Sequence, residues 1–352
     1  MDISSWNSYM KTITKGKNMN NLKKVGLTAL AGSLAAVSAH AAEMTVSGAT
    51  MLTYTSEDST EVTGNPFGMK TNLGFTASGE VNGYTVSYMQ TSADQFAGMS
   101  SARLSVDMGD MGTIAFDQGS GSGLATIDDK TPTAAEEIWD GLDGAGASAT
   151  SVGGLVGSAG NSGVFNYINT FSGVKVNAAM RTGSGTKNSD GSSSGNNEGS
   201  AWDVALTTDG AMLGVDGLAI GAGYGERDSG EAAGTAGHDD VDMTIFANYS
   251  FGPATFGYQL SEIQDGNTGT RDESLKAWGL AINVNDNLSL SYGERDVTYE
   301  GSADVTENGE GIAVAYTMGS IKVAGNMNEV SNNGGTAAAN DSMNEIAVSF
   351  AF

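Results

Sequence analysis

The chain contains no cysteine, only 3 prolines and only 2 histidines. Without cysteine there is no disulfide framework and no thiolate metal site. The histidines are His40 and His238, so a Ser–His or Cys–His nucleophilic pair has almost no raw material, and the chain does not read as an enzyme. His238 stands beside Asp239 and Asp240 in a polar run, where a solvated loop histidine is a simpler reading than a metal ligand. Cations are scarce as well: 16 Lys and Arg face 41 Asp and Glu, for a formal charge of −25. That sign argues against a nucleic-acid partner, whose phosphates need the opposite charge. No apolar run of helical transmembrane length follows the N-terminal region, so a helical membrane protein is excluded.

What is present begins with an address. Met19 opens a segment with Lys23 and Lys24 at its head, a short apolar stretch from Val25 to Val37, and Ala39 and Ala41 in an A-x-A arrangement. This is the layout of a secretory signal peptide over residues 19–41, with cleavage before Ala42 or before Glu43. Residues 1–18 read as an upstream extension, possible to leave untranslated if synthesis starts at Met19. Residues 1–41 carry five lysines and one aspartate, so residues 42–352 have a formal charge of −29. Such acidity suits a surface that meets cations and divalent-bridged lipid headgroups, with loosely bound Ca2+ at acidic loops and no other cofactor.

From Met44 onward the dominant pattern has period two. Leu73, Phe75 and Ala77 alternate with Thr76 and Ser78; Leu104 and Val106 alternate with Arg103, Ser105 and Asp107; Ile346, Val348 and Phe350 finish the chain with Phe352. Sixteen such segments are countable. Their connections alternate in length. Short turns fall at GEVNG (79–83), GDMG (109–112), TFSG (170–173), FGPA (251–254), NVNDN (283–287) and MGS (318–320), and one longer turn follows Thr208. Long polar loops lie near 56–68, 92–99, 118–162, 183–200, 227–240, 265–273, 297–308 and 331–342. Short turns on one side and long loops on the other predict an all-β, antiparallel, sixteen-stranded transmembrane barrel. Pro66, Pro132 and Pro253 all fall in loops or turns, where a missing N–H does not break the ladder.

Period alone does not separate a soluble sandwich from a barrel with its apolar face to lipid. Strand number, the leader and the terminal aromatic favour the barrel. Seven basic residues (Lys70, Arg103, Lys175, Arg181, Arg227, Arg295 and Lys322) have lumen-facing parity, and Lys276 has the opposite parity near a strand end, where it can snorkel. The repeat YGERD occurs at 224–228 and 292–296, each time leaving a strand for a long loop, and reads as a strand-end solution with local Glu–Arg pairing.

Three stretches carry a family resemblance: AEMTVSGATMLTY after the leader, IDDKTPTAAEEIWDG in the third long loop, and the ending EIAVSFAF. On these the chain resembles the Gram-negative general porins, most of all their alphaproteobacterial branch. The resemblance implies a homotrimer in the cell outer membrane, in contact with lipopolysaccharide, passing small hydrophilic solutes and ions. It implies that Phe352 is the mark read by the barrel-assembly machinery, and that the long third external loop folds into the lumen. That loop carries Asp128, Asp129, Glu136, Glu137, Asp140 and Asp143, and the family places basic residues on the facing wall. The first five acids are the candidate constriction; Arg103, Lys175, Arg181 and Lys322 are the candidate wall. The Pro-Glu-Phe-Gly loop tip of enteric porins is missing here. Acids facing bases across a waist would set up a transverse field that favours polar solutes, and the acidic balance predicts a mild cation preference. The alternatives are a secreted acidic β-rich surface protein or adhesin, and a substrate-specific outer-membrane channel.

Overall fold

The computed structural model describes residues 43–57, 64–92, 99–142, 153–160, 162–183, 200–228, 239–266, 271–301 and 303–352. The expected leader and upstream extension, both histidines, Asp143 and Lys187 lie outside the described residues. Sixteen strands form one closed antiparallel barrel. They are β1 (Glu43–Glu57), β2 (Phe67–Val81), β3 (Tyr84–Ser92), β4 (Met99–Asp107), β5 (Thr113–Gln118) and β6 (Ser162–Phe171). The wall continues with β7 (Val174–Arg181), β8 (Ala201–Asp209), β9 (Leu218–Arg227), β10 (Asp240–Phe251) and β11 (Ala254–Gln264). It closes through β12 (Glu273–Asn283), β13 (Leu288–Tyr299), β14 (Val305–Met318), β15 (Ile321–Ser331) and β16 (Asp341–Ala351).

Alternation sets the two faces. Leu52, Phe75, Leu104, Ile245, Leu290 and Val314 are all exposed on the outside of the isolated barrel, as a bilayer-facing surface requires. Two short turns show why the chain reverses where it does. Asn82 (φ 54°) with Gly83 (φ 85°), and Ser172 (φ 50°) with Gly173 (φ 88°), place two consecutive residues in the left-handed region. That geometry matches the right-handed twist of the flanking strands.

Strands extend further at the long-loop end than apolar alternation indicates. Apolar alternation predicts a loop at 297–308, whereas β13 continues to Tyr299 and β14 begins at Val305. The outward residues there are polar, with Asp296 opposite Asn308 and Thr298 opposite Thr306. Ladder pairing and a 3.0 Å hydroxyl contact between Thr298 and Thr306 extend the hairpin after the apolar signal has ended.

Closure joins the ends of the described chain. Gly48 and Phe352 exchange two backbone hydrogen bonds of 2.9 Å each. A Cβ on Gly48 would lie 2.7 Å from the Phe352 ring and 2.8 Å from Leu73. A side chain there would have to displace the Phe352 ring from this seat.

Candidate functional site

The third long loop, between β5 and β6, lies against the inner face of the wall, and its root is built first. Asp117, the inward residue near the end of β5, is fully buried. It accepts from Arg103 of β4 at 2.8 Å, from the Ser120 amide at 2.9 Å, from the Ser120 hydroxyl and from the Ser122 hydroxyl at 2.5 Å. Arg103 also donates to the Ser122 hydroxyl at 3.1 Å and to the Gly121 carbonyl. A buried carboxylate fixed by a guanidinium and three loop donors gives the loop one departure angle.

From that root the loop travels around the wall from β7 to β16. The Gly123 amide donates to Asn177 of β7 at 3.0 Å and the Leu124 amide to Asp203 of β8 at 2.9 Å. Leu124, Ile127 and Val156 of the loop bury themselves against Ala205 of β8 and Phe246 of β10, with Ile263 of β11 alongside. This is an apolar core inside a barrel whose inner face is otherwise mostly polar. Burying a side chain such as Leu124 contributes about 1.5–3 kcal/mol. Gln259 of β11 then clamps the chain. Its Nε2 donates to the carbonyls of Ile127 (3.0 Å) and Asp128 (2.8 Å), and its Oε1 accepts from the Lys130 amide at 2.7 Å. Further on, the Ala134 amide donates to Ser291 of β13 at 2.8 Å. Asn328 of β15 donates to the carbonyls of Glu137 (3.1 Å) and Asp140 (2.9 Å).

The return limb retraces the same wall. The Gly154 amide donates to Glu273 of β12 at 2.6 Å, the Gly157 amide to Asp242 of β10 at 2.9 Å, and the Ala159 amide to Asp203 at 2.8 Å. Asp203 therefore accepts one amide from each limb. Gly279 of β12 marks a close approach of backbone to backbone, since a Cβ there would stand 2.7 Å from the Pro132 carbonyl oxygen. Sequence reasoning did not single out Asp203, Asp242 or Glu273. Their signal was weak: an inward acid reads the same whether it faces water or caps a loop.

Both YGERD copies differ from the expected local pairing. Glu and Arg are adjacent, so they point to opposite faces of the strand. The tyrosine and glutamate share the outside, with Tyr224 donating to Glu226 at 2.6 Å and Tyr292 to Glu294 at 2.8 Å. The arginines turn inward onto the neighbouring strand: Arg227 meets Asp240 at 2.5 Å and Arg295 meets Glu307 at 2.6 Å.

The candidate constriction acids have distinct settings. Asp128 caps the Asp129 amide at 2.9 Å, and Asp129 accepts from the Thr131 amide at 3.3 Å and hydroxyl at 3.2 Å. Burial pushes the Asp128 carboxyl up to about 6. Burial also raises Asp129 and Glu137 above the ordinary carboxylate range. Glu136 and Asp140 line a cavity of about 690 Å3 between the loop's far turn and the wall of β16, β1 and β2. The candidate basic residues are spread apart. Arg103 is bound at the loop root, and Arg181 lies beside Gly160 of the return limb. Lys175 and Lys322 are each the second residue of their strands, next to the short turns. Lys322 stands six positions from Asn328, about 20 Å along β15. Lys70 of β2 is the lysine that lines the cavity with Glu136 and Asp140.

Opposite the loop the wall is lined by hydroxyls. The cavity contains Thr53 and Thr55 of β1, and the register carries the same face through Ser78, Ser87 and Ser105 on β2, β3 and β4. Among the described residues, no group of three or more His, Cys, Asp or Glu side chains converges as a metal site would.

A closed sixteen-stranded antiparallel barrel with a bilayer-facing apolar belt and a polar inner face is an outer-membrane channel of the porin type. The chain belongs to the Gram-negative porin family, whose model matches residues 26–351. Its place is the outer membrane of a Gram-negative bacterium. No curated protein matches. Solved structures share the fold at low identity. A loop L8 deletion mutant of OmpT, an outer membrane protein of Vibrio cholerae, is 16% identical with a TM-score of 0.64, over 89% of this chain and 100% of that one. The anion-selective porin from Comamonas acidovorans is 13% identical with a TM-score of 0.59, over 88% and 100%. The outer membrane channel DcaP of Acinetobacter baumannii is 13% identical with a TM-score of 0.60, over 89% and 98%.

Proposed function

We propose that this porin is a general diffusion channel for small hydrophilic solutes and ions, with a mild preference for cations. The observation that carries this reading is the charge balance at the loop's far turn. Glu136 and Asp140 of the loop, Glu345 of β16 and Glu57 of β1 line the same passage as one lysine, Lys70. Asp128, Asp129 and Glu137 add acidic charge along the loop upstream of that turn. In this reading Lys70 takes the waist position, Arg103 and Arg181 brace the loop, and Lys175 and Lys322 line the short-turn vestibule. Fixed carboxylates in a narrow passage concentrate cations and deplete anions.

The same reading makes the chain a passive channel and not an enzyme. It has the leader 19–41 removed on export and Phe352 recognised by the assembly machinery. Three copies assemble in lipopolysaccharide, with Ca2+ loosely held at the acidic external loops. The test is a reversal potential in a KCl gradient across a planar bilayer, at low salt where screening is weak. A potential favouring K+ supports the reading; one favouring Cl− overturns it.

A further inference from the structure

The cavity beside the loop's far turn is lined by more than carboxylates. Three kinds of group meet there from separate elements. Glu136 and Asp140 come from the loop, Glu345 from β16 and Glu57 from β1. The Thr55 hydroxyl donates to Glu345 Oε2 at 3.1 Å. Lys70 brings a single ammonium from β2, and its side chain is exposed to the passage. Trp139 and Met51 form an apolar side, with Met343 buried against Gly141. The Trp139 ring is held in place, with the Arg295 guanidinium 5.2 Å from its centroid.

We infer that this cavity is a transit station for zwitterionic amino acids with apolar side chains, an inference that rests on the channel reading above. An inorganic cation uses the carboxylates but none of the apolar surface. A simple anion meets four carboxylates against one ammonium. A neutral sugar leaves both signs of charge unmatched. An α-amino acid matches every part of the lining. Its ammonium sits among Glu57, Glu136, Asp140 and Glu345, its carboxylate faces Lys70, and its side chain covers Trp139 and the Met51 thioether. Convergent polar groups of both signs on an apolar floor are what fix the orientation of a small ligand. The cavity is open to the lumen, so capture is weak enough for release, as conduction requires.

The experiment compares leucine with leucinamide, which keeps the ammonium and the side chain and lacks the carboxylate. The full-length protein from outer membranes is placed in a planar bilayer, and the concentration of each solute that halves the K+ conductance is recorded. Lys70→Met should raise that concentration several-fold for leucine and lower it for leucinamide. Glu136→Gln with Asp140→Asn should raise it for both. A misfolded barrel cannot move two solutes in opposite directions. The station is overturned if neither solute reduces the conductance of the unmodified protein. It is equally overturned if Lys70→Met shifts both solutes in one direction, or if the loop variant shifts neither. A KCl reversal potential favouring Cl− counts against the cation-preferring channel, and the leucine comparison still decides the station.

Discussion

Arg295 ties the two limbs of the third loop together by capping Trp139. Its guanidinium lies 5.2 Å from the Trp139 ring centroid on the outgoing limb and donates to the Gly153 carbonyl on the return limb. The same group is anchored to the wall by Glu307 at 2.6 Å, and Arg295 is only 2% exposed. One buried cation thus links β13, β14 and both limbs of the loop, so the loop is fixed to the wall and is not a free flap.

Arg295→Met should loosen the loop while leaving the barrel closed. Glu307 would be left buried without its cation, and breaking such a pair costs about 3–5 kcal/mol. Limited proteolysis should become faster within the loop, and single-channel traces should become noisier. Adding Glu307→Gln removes the stranded charge, so the double variant should be more resistant to proteolysis than Arg295→Met alone. Equal proteolysis of the single variant and the unmodified protein would show that Arg295 does not hold the loop.

Cation preference should depend on pH because burial raises Asp128 to about 6. A carboxyl with a raised pKa is ionised above that value and neutral below it. Lowering the pH from about 7.5 to about 5 should therefore remove negative charge from the loop and reduce the K+ over Cl− preference, with the midpoint near Asp128's value. Asp129 and Glu137, also raised by burial, should broaden the transition. Asp128→Asn should begin with a lower preference and show a smaller fall. A reversal potential that stays flat across this range would rule out the loop carboxylates as its source.

Barrel assembly should be sensitive at Gly48 as well as at Phe352. A side chain on Gly48 meets the Phe352 ring at 2.7 Å, where the first and last strands close. Gly48→Val should reduce the folded, heat-modifiable form about as strongly as removal of Phe352, whereas Phe256→Leu, on the outer face of β11, should have little effect. Comparable gel patterns for Gly48→Val and Phe256→Leu would argue against a seat at the seam.

Strand number and facing were legible because a period of two is imposed residue by residue on every spanning segment. Met51 and Lys70, for example, show by parity alone that they face inward. Height was not legible, because it depends on stagger around the barrel. Lys175 and Lys322 have the parity of waist residues yet sit beside the short turns, and Lys70 lies next to Glu136 and Asp140. The strand ends near Asp296 and Asn308 were missed because their outward residues are polar. The loop's path was hidden for another reason. Asp203, Asp242 and Gln259 act on backbone amides and carbonyls of the loop, and backbone groups leave no mark in a sequence.

The most direct test of a water-filled barrel narrowed from within is the single-channel conductance after residues 126–142 are removed. The loop root at Arg103, Asp117 and Ser122 remains in that variant, so the barrel should still assemble. Conductance should rise above that of the unmodified protein, because the far turn carrying Glu136, Trp139 and Asp140 no longer occupies the lumen. An unchanged conductance in a correctly assembled variant would contradict the assignment of this segment as the narrowing element.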